Sequence, residues 1–313
     1  MIARLDHLRM HPSVFRHLTG LTVPAFDALA AEVVPAAEAA HRTALDRPDR
    51  ERAIGAGGEF ALGTADQVLA AVVWLRQYPT QEVLGFLFGV SDSTAKRAVD
   101  RCLPVLEKAG RDTMRMPDPG AGRRKKLPAL LRDTPGLAVV IDTFEQRTHR
   151  PKRRPRAYYS GKKKAHTLKS QVAVDEETGG IVDVSDTVPG PWADIKLLRK
   201  SRLLKRLPEG VGGIGDLAYV GIADLHPDGL GAAPRRKPRG RDRPPEDRTY
   251  NRAFSRRRVV VEHAIGRLRR FRSLAHVNRH RRKGHAARVR AVAGLVNRML
   301  PTPATKPTPI PNP

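Results

Sequence analysis

Residues 137–142 read LAVVID, five apolar residues followed by an acid. A short apolar run of this kind is typical of a strand that is buried on both faces of a sheet. A second apolar stretch, GVGGIG at residues 210–215, is also followed by an acid, Asp216. If the two strands are neighbours, Asp142 and Asp216 lie side by side at their ends.

The chain is strongly basic. Its 313 residues include 58 Lys and Arg against 32 Asp and Glu, which gives a net charge of +26 and a pI of about 11.2. Such a balance indicates a polyanionic partner, most often nucleic acid. A structural RNA-binding protein would be equally basic, so composition alone leaves DNA and RNA open.

Several classes of protein are disfavoured by what the sequence lacks. The single cysteine, Cys102, excludes an intramolecular disulfide framework and a cysteine-rich zinc site. No Walker-type phosphate loop occurs, so we expect no nucleotide cofactor. Neither a signal peptide nor a long uncharged apolar run is present, so we expect a cytoplasmic protein with no membrane partner.

The hydrophobic pattern predicts an α/β fold, a mixed sheet flanked by helices, preceded by an all-α domain. Strands are predicted at 137–141, 166–174, 181–184 and 211–215, and helices at 193–204 and about 250–271. The turn at Glu177–Gly180 makes the first three strands an antiparallel meander.

The chain divides into four predicted segments. They are a helical N-terminal domain (1–116), a basic linker rich in Pro and Gly (117–135), an α/β domain (136–275) with a basic insert at about 223–249, and a basic C-terminal extension (276–313). The extension ends in a Pro-rich tail that we expect to be disordered.

Two helices at about 80–103 have helix-turn-helix spacing, with Gly89 in the turn. Polar side chains at the start of the second helix would face outward, suited to contacts with phosphates and bases in a major groove. These side chains are Ser91, Ser93, Thr94, Lys96 and Arg97. An ordinary helical hairpin has the same pattern, so this motif alone leaves DNA contact open.

A third acid, Glu262, lies in the helical segment RVVVEHAIGRL at residues 258–268. The helix period places Arg258, Glu262 and Arg269 on one face. Phosphodiester cleavage by two metal ions requires carboxylates that converge on two Mg²⁺ or Mn²⁺ ions. We therefore interpret Asp142, Asp216 and Glu262 as candidate metal ligands and catalytic residues, with the two arginines contacting DNA phosphate.

Each acid also has a plainer interpretation. Glu262 could form an ion pair with Arg258 on the helix surface, and Asp142 and Asp216 could cap turns. Two acids after strands and one on a helix, in so basic a chain, together favour the metal site. Asp194 begins a predicted helix, where it could be an ordinary helix-terminal acid or could support the metal site.

The segment from Arg147 to Ser170 contains ten Lys and Arg and no acid. Lys162, Lys163, Lys164 and Lys169 are candidate contacts to DNA phosphate. The adjacent pair Tyr158 and Tyr159 suits stacking on unpaired bases. A solvated, flexible loop is the alternative, and the position of the segment directly after Asp142 favours DNA contact.

Five segments resemble bacterial insertion-sequence transposases of the DDE superfamily, of the IS-five type. The segments are VIDT (140–143), YSGKKKAHTLK (159–169), GPWAD (190–194), GDLAY (215–219) and RVVVEHAIGRL (258–268). The resemblance implies an RNase H-like catalytic domain with Asp142, Asp216 and Glu262 as its acidic triad. It also implies two Mg²⁺ (or Mn²⁺) ions, cleavage at terminal inverted repeats, transfer of the 3′-hydroxyl to target DNA, and a homo-oligomer assembled on DNA in the bacterial nucleoid.

The sequence departs from the family pattern at one point near the glutamate. Related transposases have a tyrosine where this chain has Ser255, and Arg269 replaces a lysine. The departure leaves open whether an aromatic contact exists at that point. It does not affect the predicted metal site. The alternative function is a catalytically silent DNA-binding regulator derived from a transposase, which would have no chemical need for the complete triad.

Overall fold

The computed structural model describes residues 3–46, 48, 60–121 and 127–301. Among these residues the helices are α1 (Leu5–Arg9), α2 (Pro12–Thr19), α3 (Val23–Leu45), α4 (Thr64–Gln77), α5 (Gln81–Phe88), α6 (Asp92–Asp112), α7 (Asp194–Ser201), α8 (Pro245–Arg269), α9 (Arg272–Ala275) and α10 (His285–Arg298). The strands are β1 (Leu137–Arg147), β2 (Tyr159–Ser160), β3 (Ala165–Asp175), β4 (Ile181–Val184), β5 (Val188–Pro189), β6 (Val211–Ile214) and β7 (Gly231–Ala232). Residues 122–126 of the predicted linker and 302–313 of the predicted disordered tail lie outside the described residues.

The described strands form a mixed sheet with the order β2-β3-β1-β6-β7, and β4 and β5 also pair with β3. β1, β3 and β4 are antiparallel neighbours, as the predicted meander requires, whereas β6 runs parallel to β1 and β7 runs parallel to β6. This arrangement, with helices on both faces, confirms the predicted α/β class and agrees with an RNase H-like sheet.

β1 is longer than the predicted strand, which ended at Ile141. It continues to Arg147 because β3 pairs with it along its whole second half, from Asp142 opposite Val172 to Arg147 opposite Thr167. β6 pairs with β1 only as far as Ile214 opposite Val140. Asp142 therefore lies within β1, not at its end, at the point where β6 leaves the edge of that strand.

The sheet has a different helical layer on each face. Val140 and Phe144 face the side covered by α8 and α10, whereas Val139 and Ile141 pack with Leu198 of α7 on the other side. Alternate residues of a strand point to opposite faces, so this division follows from the period of two in β1.

The N-terminal helices and the sheet share one apolar cluster, which joins buried residues of α2 to α6 with those of α8 and α10. α6 and α10 approach most closely where Gly110 meets Gly294, since a Cβ added to Gly294 would lie 2.2 Å from the Gly110 Cα. α10 falls within the predicted C-terminal extension, yet Val289, Val292 and Val296 are fully buried.

The predicted helix-turn-helix motif is confirmed, with α5 and α6 joined by a tight turn. Leu84 and Phe88 of α5 are buried together with Ala95 and Ala98 of α6. Gly85 is required at the crossing because a Cβ there would lie 2.6 Å from the carbonyl oxygen of Val90. α6 continues nine residues beyond the predicted end at about residue 103, to Asp112.

No single helix in the described ranges is long and apolar enough to cross a membrane. Only α2 and α3 taken together, bent by 58° at the break between them, pass a test of length and composition. In the structure both helices contribute buried side chains, Phe15 and Phe26 among them, to the apolar cluster.

A buried ion pair fixes α8 on the sheet. The Arg257 guanidinium donates to both carboxylate oxygens of Glu176, from Nε at 2.9 Å and from Nη2 at 2.5 Å. It also donates from Nη1 to the Thr134 hydroxyl at 2.7 Å and from Nη2 to the Pro135 carbonyl at 2.7 Å. α8 is thereby joined to the residues just before β1 and just after β3.

We predict that Arg257→Ala lowers the free energy of unfolding by about 3–5 kcal/mol, because it leaves the Glu176 carboxylate buried without its main partner. Urea denaturation followed by circular dichroism measures the change. Arg256→Ala is the matched control, since Arg256 is the exposed neighbour on the same helix. An equal, small loss in both variants would mean that the buried pair does not hold α8 in place.

Candidate active site

The strand register brings Asp142 and Asp216 to the same level of the sheet. Val140 of β1 is opposite Ile214 of β6 in the parallel pair. Asp142 follows Val140 by two residues, and Asp216 follows Ile214 by two residues. Asp142 Oδ1 accepts a hydrogen bond from its neighbouring amide, Thr143 N, at 2.7 Å. Asp216 Oδ1 accepts from Ala218 N at 2.9 Å and caps the 3₁₀ helix Leu217–Tyr219.

Three carboxylates share one electrostatic environment at this edge. Burial first, and then the negative charges of Asp216 and Asp194, raise the pKa of Asp142 to about 6, against the opposing hydrogen bond from Thr143 and the nearby positive charge of Arg258. Burial and neighbouring like charges both disfavour the ionised form. Asp142, Asp194 and Asp216 therefore belong to one acidic cluster that Arg258 only partly neutralises.

The Tyr219 hydroxyl adjoins the acidic cluster. The ring is fully buried, and the pKa of the phenol is raised well above its usual value, first by burial and then by Asp194, Asp142 and Asp216. Within the described part of the chain, the hydroxyl oxygen has no hydrogen-bond partner. A Cβ at residue 215 would lie 2.6 Å from this ring, so Gly215 is required for the tyrosine to occupy its place.

The amine of Lys169 forms an ion pair with Asp194, one member of the acidic cluster. Its Nζ lies 2.7 Å from Asp194 Oδ1 and 3.9 Å from Glu145 Oε1, and it donates to the Trp192 carbonyl at 2.6 Å. The side chain is only 9% exposed. The structure therefore gives this amine protein partners, where the sequence pattern predicted a phosphate contact.

Glu145 was not identified from the sequence. It faces Lys169 directly across the β1–β3 ladder, and its Oε2 accepts a hydrogen bond from the Thr167 hydroxyl at 2.6 Å. The signal that could have found it is the register, because antiparallel pairing places residues directly opposite each other on one face. That register was not available while β1 was expected to end at Ile141.

Glu262 lies on the flank of α8 that points away from the β3–β4 turn. Val260 and Arg267 lie on the opposite flank, where Val260 approaches Gly179 and Arg267 donates to the Gly179 carbonyl at 2.8 Å, beside the β3–β4 turn. β6 is on the other side of β1 from β3. The helix period places Arg258, Glu262 and Arg269 together about half a turn from that contact.

Glu262 does not join the aspartates in this conformation. Its side chain is exposed, and among the described residues no group of three His, Cys, Asp or Glu is close enough to hold a metal ion. Among the described residues no ion pair joins Glu262 to Arg258, and the buried Arg258 Nε has no hydrogen-bond partner there either. The role of Glu262 as third ligand stays a prediction.

The donor set of the acidic cluster fits a hard divalent cation. Asp142 and Asp216 supply carboxylate oxygens, which Mg²⁺ and Mn²⁺ prefer, and a cation would offset both the burial and the repulsion that raise the pKa of Asp142. The Tyr219 hydroxyl could be satisfied by water in the same space. Asp142 and Asp216 are the residues best placed to hold such an ion, with Asp194 next to them.

The remaining predicted DNA contacts are on the surface. Lys162, Lys163 and Lys164 are exposed in the turn between β2 and β3, and Arg269 is exposed on α8. At the start of α6, Ser91 caps the helix by accepting from Thr94 N. The exposed side chains there are those of Ser91, Ser93, Lys96 and Arg97, with Thr94 half-buried.

We predict that Asp142→Asn stabilises the metal-free protein at neutral pH. Because the pKa is raised from 3.8 to about 6, ionised Asp142 costs folding free energy above about pH 6, and this cost disappears as the pH falls below 4. The gain should reach up to about 3 kcal/mol at neutral pH and vanish in acid. Thermal unfolding in EDTA at several pH values measures it.

The control for this prediction is Asp224→Asn, which changes an exposed aspartate outside the cluster. It should show no pH-dependent gain. A destabilising effect of Asp142→Asn at neutral pH would contradict the argument, because it would make the ionised carboxylate a structural group.

Comparison with known proteins gives a consistent result along most of the chain. A family model described as DDE superfamily endonuclease matches residues 141–297, from the residue before Asp142 into α10. A second, described as helix-turn-helix of DDE superfamily endonuclease, matches residues 60–112, which contain α4 to α6. No solved structure matches the chain.

A curated relative supports the same assignment. It is described as "Probable transposase for insertion sequence element IS702" from Microchaete diplosiphon and is 31% identical over 232 residues. The alignment covers 74% of this chain and 79% of the relative. With a helix-turn-helix region ahead of the endonuclease region, the chain belongs to the insertion-sequence transposases of the DDE superfamily.

Proposed function

We propose that this chain is a DNA transposase that cleaves phosphodiester bonds at the inverted-repeat ends of an insertion sequence. In the proposed reaction, water attacks the bond at the end of the element, and the freed 3′-hydroxyl then attacks target DNA in the same site. The proposal goes beyond membership of the family, because it assigns both chemical steps to the acidic cluster of this chain.

The placement of Asp142 and Asp216 is the observation that carries the proposal. The two aspartates lie at one level of adjacent parallel strands, where β6 leaves the edge of β1 and opens a place for a ligand. A chain with a net charge of +26 has many basic residues that could neutralise the two aspartates. The electrostatic repulsion between Asp142 and Asp216 remains in the folded protein instead. This is expected for groups that bind a cation together with the substrate.

Asp142, Asp216 and Glu262 would hold two Mg²⁺ (or Mn²⁺) ions, which activate the attacking hydroxyl and stabilise the leaving oxygen when bound. Glu262 is exposed on the flank of α8 away from the β3–β4 turn, and in this proposal its side chain turns toward the aspartates when the ions bind. The Lys169 amine holds the Asp194 carboxylate in place through an ion pair at 2.7 Å. Asp194 thus acts as a positioning residue in this proposal.

The positive groups around the cluster would hold the DNA strand. Arg258 and Arg269 lie on the same flank of α8 as Glu262, and Lys162, Lys163 and Lys164 extend from the β2–β3 turn. The arginines would neutralise phosphates near the reacting bond, which orients it for attack, and the lysines would contact phosphates further along the strand. The exposed start of α6 would read the terminal repeat in the major groove. We further propose that two or more copies assemble on DNA to bring the element ends together.

We expect Asp142→Asn and Glu262→Gln each to reduce cleavage by about three orders of magnitude or more, since charge stabilisation by bound ions is worth several kcal/mol. The assay follows nicking of labelled linear DNA that carries the inverted repeats, with Mg²⁺ or Mn²⁺. Both variants should still bind the DNA. Glu246→Gln, an exposed acid in the first turn of α8, is the control and should cleave normally.

Two results would overturn parts of this assignment. Normal cleavage by Glu262→Gln would remove Glu262 from the ligand set. Tight binding of repeat DNA by the wild type without cleavage under any divalent metal would favour the catalytically silent regulator.

We predict that Arg97→Ala weakens binding to terminal-repeat DNA by about 1–3 kcal/mol, as for loss of a base-edge contact. Arg97 is exposed near the start of α6, where its Nε donates to the Ser93 carbonyl at 3.1 Å. Arg111→Ala is the matched control at the other end of the helix, where Arg111 pairs with Glu107 at 2.8 Å. Equal losses in a gel-shift titration would exclude base reading by the first turns of α6.

A further inference from the structure

A cavity of about 520 Å³ lies away from the acidic cluster, on the side of the sheet where β5 pairs with β3. Leu168, Val188 and Pro189 supply apolar surface to its wall, and the ring of Tyr158 lines it from the 3₁₀ helix Pro155–Tyr158. This volume is within the range of about 300–1,000 Å³ that is usual for sites that bind small organic groups.

The opposite wall of the cavity is cationic. It consists of Arg281, Arg282 and Lys283, in the loop before α10. The Arg282 guanidinium carbon lies 4.6 Å from the centre of the Tyr158 ring. A single cavity therefore offers an aromatic ring stacked with a guanidinium, apolar contacts and three positive charges.

Arg282 has an unused donor in this cavity. Its Nη1 is buried, yet within the described ranges it has no hydrogen-bond partner. A buried donor without an acceptor is costly and uncommon in folded proteins. The missing partner is a hydrogen-bond acceptor that the protein itself does not provide, which points to a ligand.

The segment just before the cationic wall, residues 278–280, is anchored to the rest of the protein by hydrogen bonds. Asn278 N donates to the Arg147 carbonyl at 2.8 Å, and Asn278 Nδ2 donates to the His280 carbonyl at 2.8 Å. Arg288 donates to the Asn278 side chain, and Arg279 N donates to the Tyr78 hydroxyl at 2.9 Å. Such anchoring reduces the entropy cost of binding.

We propose that this cavity binds an unpaired nucleotide of the DNA strand, an inference that rests on the proposed function. The base stacks against Tyr158 and the Arg282 guanidinium and presents an acceptor to Arg282 Nη1, while Arg281 and Lys283 contact the adjoining phosphates. Stacking on aromatic and guanidinium planes with cations along the backbone is the usual way to hold single-stranded nucleic acid. A phosphate alone would use the cations but not the ring or the apolar wall.

The cavity is within reach of a strand that passes the acidic cluster. Leu168 is four residues along β3 from Val172, the partner of Asp142, so the two levels are about 13 Å apart at the rise of a strand. Leu168 and Val172 also point to the same face. The unpaired nucleotide would therefore lie within a few nucleotides of the reacting bond.

The test compares binding of two labelled DNAs in EDTA, a blunt duplex and the same duplex with a single-stranded 3′ extension. Wild type should bind the extended DNA more tightly. Tyr158→Ala should reduce this preference at least about fivefold, since stacking of one base on an aromatic ring is typically worth that much or more. Tyr158→Phe retains the ring and should retain the preference, which separates stacking from misfolding.

Matched controls lie beside the cavity in the same basic segment. The sequence pattern offered Tyr159 equally as a stacking ring, but Tyr159 is exposed, contacts His166 and does not line the cavity, so Tyr159→Ala should leave the preference intact. Arg153→Gln should weaken the binding of both DNAs equally, because Arg153 is exposed and outside the cavity. Arg282→Gln should weaken chiefly the binding of the extended DNA.

Three results would overturn the proposal: no preference in the wild type, equal effects of Tyr158→Ala and Tyr159→Ala, or competition by a free deoxynucleoside monophosphate as effective as the extended DNA. The last would assign the cavity to a free nucleotide. Because EDTA prevents cleavage, a failure here is distinguishable from a failure of the proposed catalytic function, which the nicking assay reports separately.

Discussion

The buried ion pair between Arg257 and Glu176 is the interaction on which the arrangement of the site depends. It joins α8 to the start of β1 and the end of β3, and so determines which flank of the helix faces the β3–β4 turn. That orientation keeps Arg258 and Glu262 on the flank of α8 away from the β3–β4 turn, because a rotation of the helix by half a turn would carry both to that turn. A structural ion pair thus determines the geometry of neighbouring residues that are themselves unpaired.

The acidic cluster and the basic surface have complementary physical roles. The chain carries a large positive charge, yet near Asp142 the balance is locally negative, and Lys169 and Arg258 neutralise it only in part. A site of this kind binds a polyanion poorly without cations and well with them. The metal ions of the proposed function would therefore serve the electrostatics of the substrate as well as the chemistry of the bond.

Much of the fold could be predicted from the sequence, because apolar runs mark the buried strands. β4 lies where the pattern placed it, and β6 ends one residue earlier. The second half of β1 was missed because TFEQR at residues 143–147 carries no apolar run; its pairing with β3 is a tertiary effect. Glu145 and its contact with Lys169 were missed for the same reason. The cavity at Tyr158 could not be predicted, since Arg282 reaches it from 124 residues away through packing of the loop before α10.

The contact between Gly110 and Gly294 brings α6 against α10 with no side chain between them, and α10 in turn packs on the sheet. The helix proposed to read DNA and the strands proposed to cut it therefore form one rigid unit. In such a unit the number of base pairs between the recognised sequence and the cleaved bond is a constant of the protein. An element end with one base pair inserted in that interval would present the wrong phosphate, rotated by about a tenth of a helical turn.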